Sequence, residues 1–182
     1  MPLNDGAVER RMKLGQLIEP WTNVPALVYD RHLDVVVAND LAVAVQESFR
    51  VGANLARATF LEANLDRSLG DVDQKRDQVA AELREAVAEQ GEDDGYVSLV
   101  GELAALSDAF AEAWAGNVPP APDGVFRFNN RLVGTLGLAY HRFRVAGPDA
   151  DTLLVWRGAD AESSERLEAL AKYPISNMGS DA

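Results

Sequence analysis

The feature that most constrains the fold is a change of hydrophobic period close to residue 120. Between residues 71 and 114, apolar side chains recur every three or four positions, as they do on one face of an α-helix. From residue 125 onward they alternate with small or polar residues, as in a β-strand. Pro119 and Pro120 mark the boundary, because proline ends a helix. The sequence therefore predicts long helices followed by antiparallel strands.

The helical part divides into two segments. The first covers residues 71–89, and its apolar face is opposite a row of acidic residues that includes Glu82. Lys75 and its neighbour Arg76 are likewise assigned to a solvated face. The second segment runs from Leu99 to Trp114 as one continuous helix, and the two segments are expected to pack antiparallel. The acidic pair at residues 93–94 is interpreted as the N-terminal cap of this second segment.

The remaining elements are placed by short local signals. A leading helix is expected over residues 7–21, a short helix capped by Asn39, and a final helix capped by Asp160 or Ser163. Residues 50–70 are ambiguous and receive no assignment. Strands are predicted over residues 26–29, 33–37, 125–128, 135–145 and 153–156. The fold class that follows is α+β, with about five antiparallel strands and the helices packed on one side.

Composition limits the partners of the chain. Its 182 residues suit one domain, and 17 basic against 29 acidic residues give a net charge of −12. Direct nucleic-acid binding is disfavoured, because that affinity depends on basic groups that neutralise phosphates. The chain has no cysteine, no signal peptide and no apolar stretch near the roughly 18 residues of a membrane span. A cytoplasmic location without membrane contact is expected.

The sequence carries no pattern typical of catalysis. Nucleophile, zinc-protease, phosphate-loop and dinucleotide motifs are all missing, and the two histidines, His32 and His141, lie in or beside strands. We therefore expect no enzyme activity, no metal site and no cofactor.

Several residues suggest a binding pocket, although each can also be explained by ordinary packing or by a surface contact. Gly137 and Ala139 leave one sheet face short of bulk, which indicates either a void for a guest or a closely packed helix. Phe110 and Trp114 suit a pocket wall or an ordinary core. Arg57 suits either a ligand carboxylate or a surface ion pair.

A set of landmarks in fixed order makes the chain recognisable from about Leu14 to Leu170. They are Pro25–Val28 with Leu33–Val35 and Ala38–Asn39, Asn54–Arg57 with Phe60–Leu61, Leu99–Leu103 with Ser107, Phe110 and Trp114, and Val133–Leu138 with Tyr140. Together they closely resemble the ligand-binding domain of MmyB-like transcription regulators. The chain departs from that pattern at Asn130–Arg131, where the family has His-Pro, and near Gln74, where the family has Trp.

The resemblance implies a PAS-like fold that senses a fatty-acid-like ligand between helices and sheet, as the effector domain of a bacterial regulator. It also implies a homodimer that reaches DNA only indirectly, through helix-turn-helix segments of the Xre type that are missing here. The expected division is a leading segment over residues 1–13, the PAS-like domain over 14–173 and a polar tail over 174–182. The alternative is a PAS-like interaction or dimerisation module with a filled core and no ligand.

The resemblance also implies which residues line the pocket, with Arg57 or Asn54 as partner of a ligand carboxylate. The predicted ligand-binding residues are Asn39, Asn54, Arg57, Phe60, Leu103, Leu106, Phe110, Trp114, Leu136, Leu138 and Tyr140.

Overall fold

The computed structural model describes residues 5–62 and 67–173. Within these ranges the helices are α1 (Asp5–Ile18), α2 (Asp40–Val45), α3 (Leu55–Phe60), α4 (Val72–Gln90), α5 (Asp94–Leu106), α6 (Asp108–Gly116) and α7 (Ala161–Leu170). The strands are β1 (Ala26–Tyr29), β2 (Val35–Ala38), β3 (Asp123–Asn130), β4 (Gly134–Arg144) and β5 (Thr152–Gly158). Short 3-10 helices cover Glu47–Phe49 and Arg67–Leu69. The predicted tail at 174–182 lies outside the described residues.

The five strands form one antiparallel sheet in the order β2-β1-β5-β4-β3. Residues opposite each other in the register share a face, and successive residues alternate between faces. Tyr140 is opposite Trp156 and Phe126 is opposite Leu138, so one face, here called the inner face, is rich in aromatic residues. The predicted α+β class, with one five-stranded antiparallel sheet, is confirmed.

Helices α2 to α6 supply the cover of the inner face, and their buried residues join one core with those of the sheet. Helix α1 lies against the opposite face of β1 and β2. A Cβ placed on Gly15 would stand 3.6 Å from Cγ1 of Val37. Val37 points away from the inner face, because its neighbour Ala38 is paired with Leu27 on the inner face. The sheet is therefore covered on both faces at this edge.

The second helical segment is not continuous, because it breaks at Ser107. The Ser107 hydroxyl accepts a hydrogen bond from the Phe110 N–H at 3.2 Å and so starts a new helix, α6. The change of direction leaves Leu106 68% exposed, although its spacing suited the apolar face. Helix α4 packs along α6, and the Arg84 guanidinium donates to the carbonyls of Trp114 (3.1 Å) and Val118 (2.7 Å).

The small residues of β4 accommodate a helix rather than a guest. Gly137 donates its N–H to the Ser163 hydroxyl at 3.0 Å, at the start of α7. On the neighbouring strand, a Cβ at Gly158 would lie 2.5 Å from the Ser164 nitrogen, so only glycine fits there. The sequence left open whether these small residues make room for a ligand or for a helix, and the structure shows a helix packed against them.

Asn39 joins the start of α2 to the loop before β1. Its side-chain oxygen accepts from the N–H groups of Ala42 (3.0 Å) and Ala26 (3.1 Å). Its amide nitrogen donates to the carbonyls of Trp21 (3.1 Å) and Val24 (2.7 Å). Because Asn39 is only 4% exposed, water does not readily replace these partners.

We predict that Asn39→Ala lowers the free energy of unfolding by about 3 kcal/mol, because it removes a helix cap and strands buried carbonyls. Asn39→Asp keeps the acceptor and loses the donors, so it should also destabilise the fold. Urea unfolding measures both, with Ser98→Ala on the exposed surface of α5 as control. A loss below about 1 kcal/mol for Asn39→Ala would contradict this role.

Candidate ligand-binding site

A cavity of about 90 Å³ lies between the inner face of the sheet and helices α3 and α4. Side chains from several separate segments line it. They are Leu33, Gln46, Ser48, Phe49, Leu55, Ala58, Thr59, Lys75, Gln78, Val79, Glu82, Phe126, Phe128, Tyr140, Leu154 and Trp156.

The sheet side of the cavity is an aromatic wall. Phe126 and Tyr140 stack with ring centroids 4.9 Å apart, and Phe49 stacks on Trp156 at 5.0 Å. The Tyr140 ring occupies the space beside Gly124, where an added Cβ would lie 2.9 Å from it. Glycine at this position therefore lets Tyr140 lie over the strand. Ring pairs of this kind form a rigid apolar surface.

Helix α4 brings three polar side chains to the cavity, which the sequence pattern did not predict. Lys75, Gln78 and Glu82 follow each other at three- and four-residue spacing on α4, so they share one face of the helix. The prediction that Lys75 and Glu82 face solvent is therefore wrong. These three residues have the same helical spacing as the apolar residues Val72, Val79 and Leu83. The apolar pattern alone does not reveal them, because it takes only apolar residues as members of a buried face.

Lys75 is held by several partners. Its ammonium group lies 3.1 Å from the Asp71 carboxylate, donates to the Arg127 carbonyl and stands 4.7 Å from the centre of the Phe128 ring. Both charged side chains are buried, and such a pair persists only when each charge is matched. Lys75 therefore contributes a fixed positive charge to the cavity wall.

Gln78 and Glu82 have fewer partners. The Gln78 side-chain oxygen accepts the Ala121 N–H at 2.7 Å, while no described residue accepts a hydrogen bond from its amide nitrogen. Glu82 lies 3.5 Å from the Arg142 guanidinium, which is longer than a normal charged hydrogen bond. Burial raises the pKa of Glu82, and the nearby Arg142 charge opposes that rise.

Of the eleven residues predicted from the sequence, Tyr140 lines this cavity. Leu103, Phe110, Leu136 and Leu138 are fully buried members of the core, and Leu106 is exposed. Phe60 and Trp114 both pack against Phe110, with centroid distances of 5.0 and 5.3 Å. This aromatic cluster joins α3 to α6 outside the cavity wall.

The three polar residues of that prediction, Asn39, Asn54 and Arg57, form hydrogen bonds or ion pairs with other residues of the protein. Arg57 forms a two-pronged ion pair with Glu102 at 3.0 and 2.7 Å, which was the plainer reading of its sequence context. Asn54 caps α3 through the Arg57 N–H and donates to Asp34 at 2.8 Å. With Asn39 also fully bonded, these groups hold local structure.

The structure also bears on metal binding and on membrane insertion. In the part of the chain that the structure describes, no cluster of three or more His, Asp or Glu side chains is placed to hold a metal ion. Across residues 5–62 and 67–173, no helix combines the length and apolar character needed to cross a bilayer.

Comparisons with known proteins agree with a binding domain. Residues 11–170 match the family profile described as the MmyB-like transcription regulator ligand binding domain. Among solved structures, the chain is similar to the PAS domain of BvgS from Bordetella pertussis, with 13% identity and a TM-score of 0.38. That match covers 89% of this chain and 96% of the other, and the likeness is distant. No curated protein matches the sequence.

Burial of Glu82 gives a pH-dependent prediction. Its pKa is raised above the ordinary 4.5, so between the two values the folded state binds more protons than the unfolded state. The stability contribution of Glu82 is therefore lost as pH rises through that window. We expect Glu82→Gln to gain stability relative to the parent protein as pH rises above the ordinary carboxyl value of 4.5.

Urea unfolding across this range measures the difference, with Glu85→Gln as the matched control. Glu85 contacts the same Arg142 but is the more exposed carboxylate, so its substitution should change the pH slope less. Equal slopes for the two variants would contradict the assignment.

Proposed function

Because the chain belongs to the family of MmyB-like transcription regulator ligand-binding domains, we propose that the cavity between the sheet and α4 is its ligand site. In this proposal the domain is the sensor of a cytoplasmic transcription regulator and performs no catalysis. The supporting observation is a partly open cavity with an aromatic wall on one side and the polar face of α4 on the other. Small-molecule sites commonly combine an apolar lining with a few placed polar groups.

The size of the cavity favours a small ligand. At about 90 Å³ it is smaller than the roughly 150 Å³ cavity that takes up benzene in an engineered core. A short acyl chain or a compact ring fits this space better than a long fatty acid, which would require α3 and α4 to separate from the sheet. A fatty acid remains one candidate class, since each buried methylene contributes about 0.8 kcal/mol.

Helix α4 offers a route from the cavity to the rest of the molecule. It supplies four lining residues and is tied to the sheet through Lys75 and through the contacts of Arg142 with Glu82 and Glu85. A ligand that binds one position of α4 better than another shifts the population between them. In a longer regulator, attached DNA-binding helices would respond to this shift.

A second copy of the chain is the proposed partner. Helix α1 exposes Val8 and Met12, which lie one turn apart on the same face and are each more than half exposed. Exposed apolar residues at helical spacing suit a helix-to-helix contact between copies. The homodimer expected from the resemblance would use this surface.

We predict that saturated fatty acids of about 6 to 10 carbons raise the melting temperature of delipidated protein more than those of about 14 to 18 carbons, because ligand bound only to the folded state stabilises it. Ala58→Phe should abolish the rise by filling the cavity. Ala104→Phe, on the exposed side of α5, is the control and should leave the rise unchanged.

Mass spectrometry of the denatured, undelipidated protein tests the same proposal without a variant. A co-purifying small molecule supports the sensor. A clean spectrum, together with no thermal shift for any candidate ligand, would overturn it in favour of an interaction module with a filled core.

A further inference from the structure

One polar side chain in the cavity wall has hydrogen-bonding capacity that the fold does not use. Gln78 on α4 lines the cavity and is only 8% exposed. Its side-chain oxygen accepts the Ala121 N–H at 2.7 Å, which fixes the orientation of the amide, because only the oxygen can accept. The amide nitrogen therefore carries two hydrogens that no described residue accepts. A buried donor normally has a partner, so a water or a ligand in the cavity has to supply one.

A second lining residue also has an unused donor. Ser48, in the 3-10 helix Glu47–Phe49, is 8% exposed and lines the same cavity. Its hydroxyl oxygen accepts from the Gln46 amide nitrogen at 2.7 Å, and no described residue accepts its hydrogen. Both unused capacities are thus donors, and the ligand group that complements them is a hydrogen-bond acceptor.

The charges of the wall indicate that this acceptor is uncharged. Lys75 and Glu82 are the charged members of the described lining. The Lys75 ammonium group lies 3.1 Å from the Asp71 carboxylate, and the Glu82 carboxylate lies 3.5 Å from the Arg142 guanidinium. Each charge already has an opposite charge beside it, so a ligand carboxylate would be buried without a counter-ion of its own. A carbonyl oxygen accepts hydrogen bonds without carrying a net charge.

The rest of the wall defines the body of the ligand. Five of the lining side chains are aromatic: Phe49, Phe126, Phe128, Tyr140 and Trp156. Aromatic rings pair favourably in stacked and edge-to-face arrangements, and both arrangements already occur in this wall. The small volume suits one planar ring better than a long chain.

We propose that the ligand is a compact, uncharged molecule with a planar ring and a carbonyl group, and that the Gln78 amide donates a hydrogen bond to the carbonyl oxygen. This inference rests on the proposed function, since it names the ligand class of the same cavity. It places the polar end of the ligand on α4, the helix that couples the cavity to the rest of the molecule in that proposal. The sequence had placed it on Arg57 or Asn54.

The test uses three probes of nearly the same shape: acetophenone, α-methylstyrene and benzoate. α-Methylstyrene has a methylene group where acetophenone has its carbonyl oxygen, and benzoate has a carboxylate in place of the acetyl group. Each probe is titrated by calorimetry into delipidated parent protein and into Gln78→Met, which keeps the length of the side chain and removes its polar groups. The substitution should lower the affinity for acetophenone about fivefold relative to that for α-methylstyrene, as expected for one hydrogen bond between neutral groups. Benzoate should bind the parent protein more weakly than acetophenone.

Gln46→Met is the matched control, because Gln46 lines the same cavity but donates its amide hydrogen to Ser48. It should change the ratio of the two affinities less than about twofold. The ratio, unlike either affinity alone, is insensitive to a general loosening of the fold.

A measurement on the parent protein alone keeps the inference testable if a substitution prevents folding. The carbonyl stretching band of bound, isotope-labelled acetophenone should lie at lower frequency than in hexane, because a hydrogen bond weakens the C=O bond. A band at the hexane position would overturn the inference.

The remaining outcomes separate this inference from the proposed function. Binding of α-methylstyrene or of fatty acids, with an affinity ratio that Gln78→Met leaves unchanged, would overturn the carbonyl inference and leave the sensor proposal standing. Benzoate binding more tightly than acetophenone would do the same. Failure of every ring and every fatty acid to bind would overturn both. Equal effects of Gln78→Met and Gln46→Met would remove the role of Gln78.

Discussion

The contact on which the site depends joins α4 to the exposed edge of β3. Arg127 lies on an edge strand, and both of its backbone groups are taken by the start of the helix: Asp71 accepts its N–H at 2.5 Å and Lys75 donates to its carbonyl. Unpaired groups on a sheet edge invite pairing with another chain, and folds commonly cover them. Here an acid and a base four residues apart on one helix provide that cover, and this explains why a lysine is buried.

The same contact helps to create the cavity. Because Asp71 and Lys75 are charged, burying them requires matched partners, and they find these in each other, in Arg127 and in the Phe128 ring. Further along α4, Arg142 of β4 reaches back to Glu82 and Glu85. The helix is thus held at two places by polar side chains rather than by interlocking apolar ones. Between these places, Gln78 and Val79 face the aromatic wall across the remaining space.

Features that depend on neighbouring residues in the chain were predictable from the sequence. Asn39 and Asp160 cap α2 and α7 as expected, and the alternation in residues 135–145 correctly indicated β4. The break at Ser107 was missed because the apolar spacing continues through it, and a serine in such a run is compatible with either a continuous helix or a new N-cap. The inward position of Lys75 was missed for a similar reason, since it depends on an edge strand more than fifty residues away.

The predicted site and the observed cavity differ for a physical reason. Large apolar landmarks such as Phe110, Leu103 and Leu136 are the residues that a fold needs most for packing, and they pack against each other without leaving room. The cavity instead carries polar side chains on an otherwise apolar face of α4, namely Gln78 and Glu82, whose partners in the fold are few. Changes at such positions can alter which molecule binds while the Phe110 cluster continues to hold the helices together. A family resemblance carried by core landmarks can therefore identify the domain while the chemistry of its ligand is set by residues outside those landmarks.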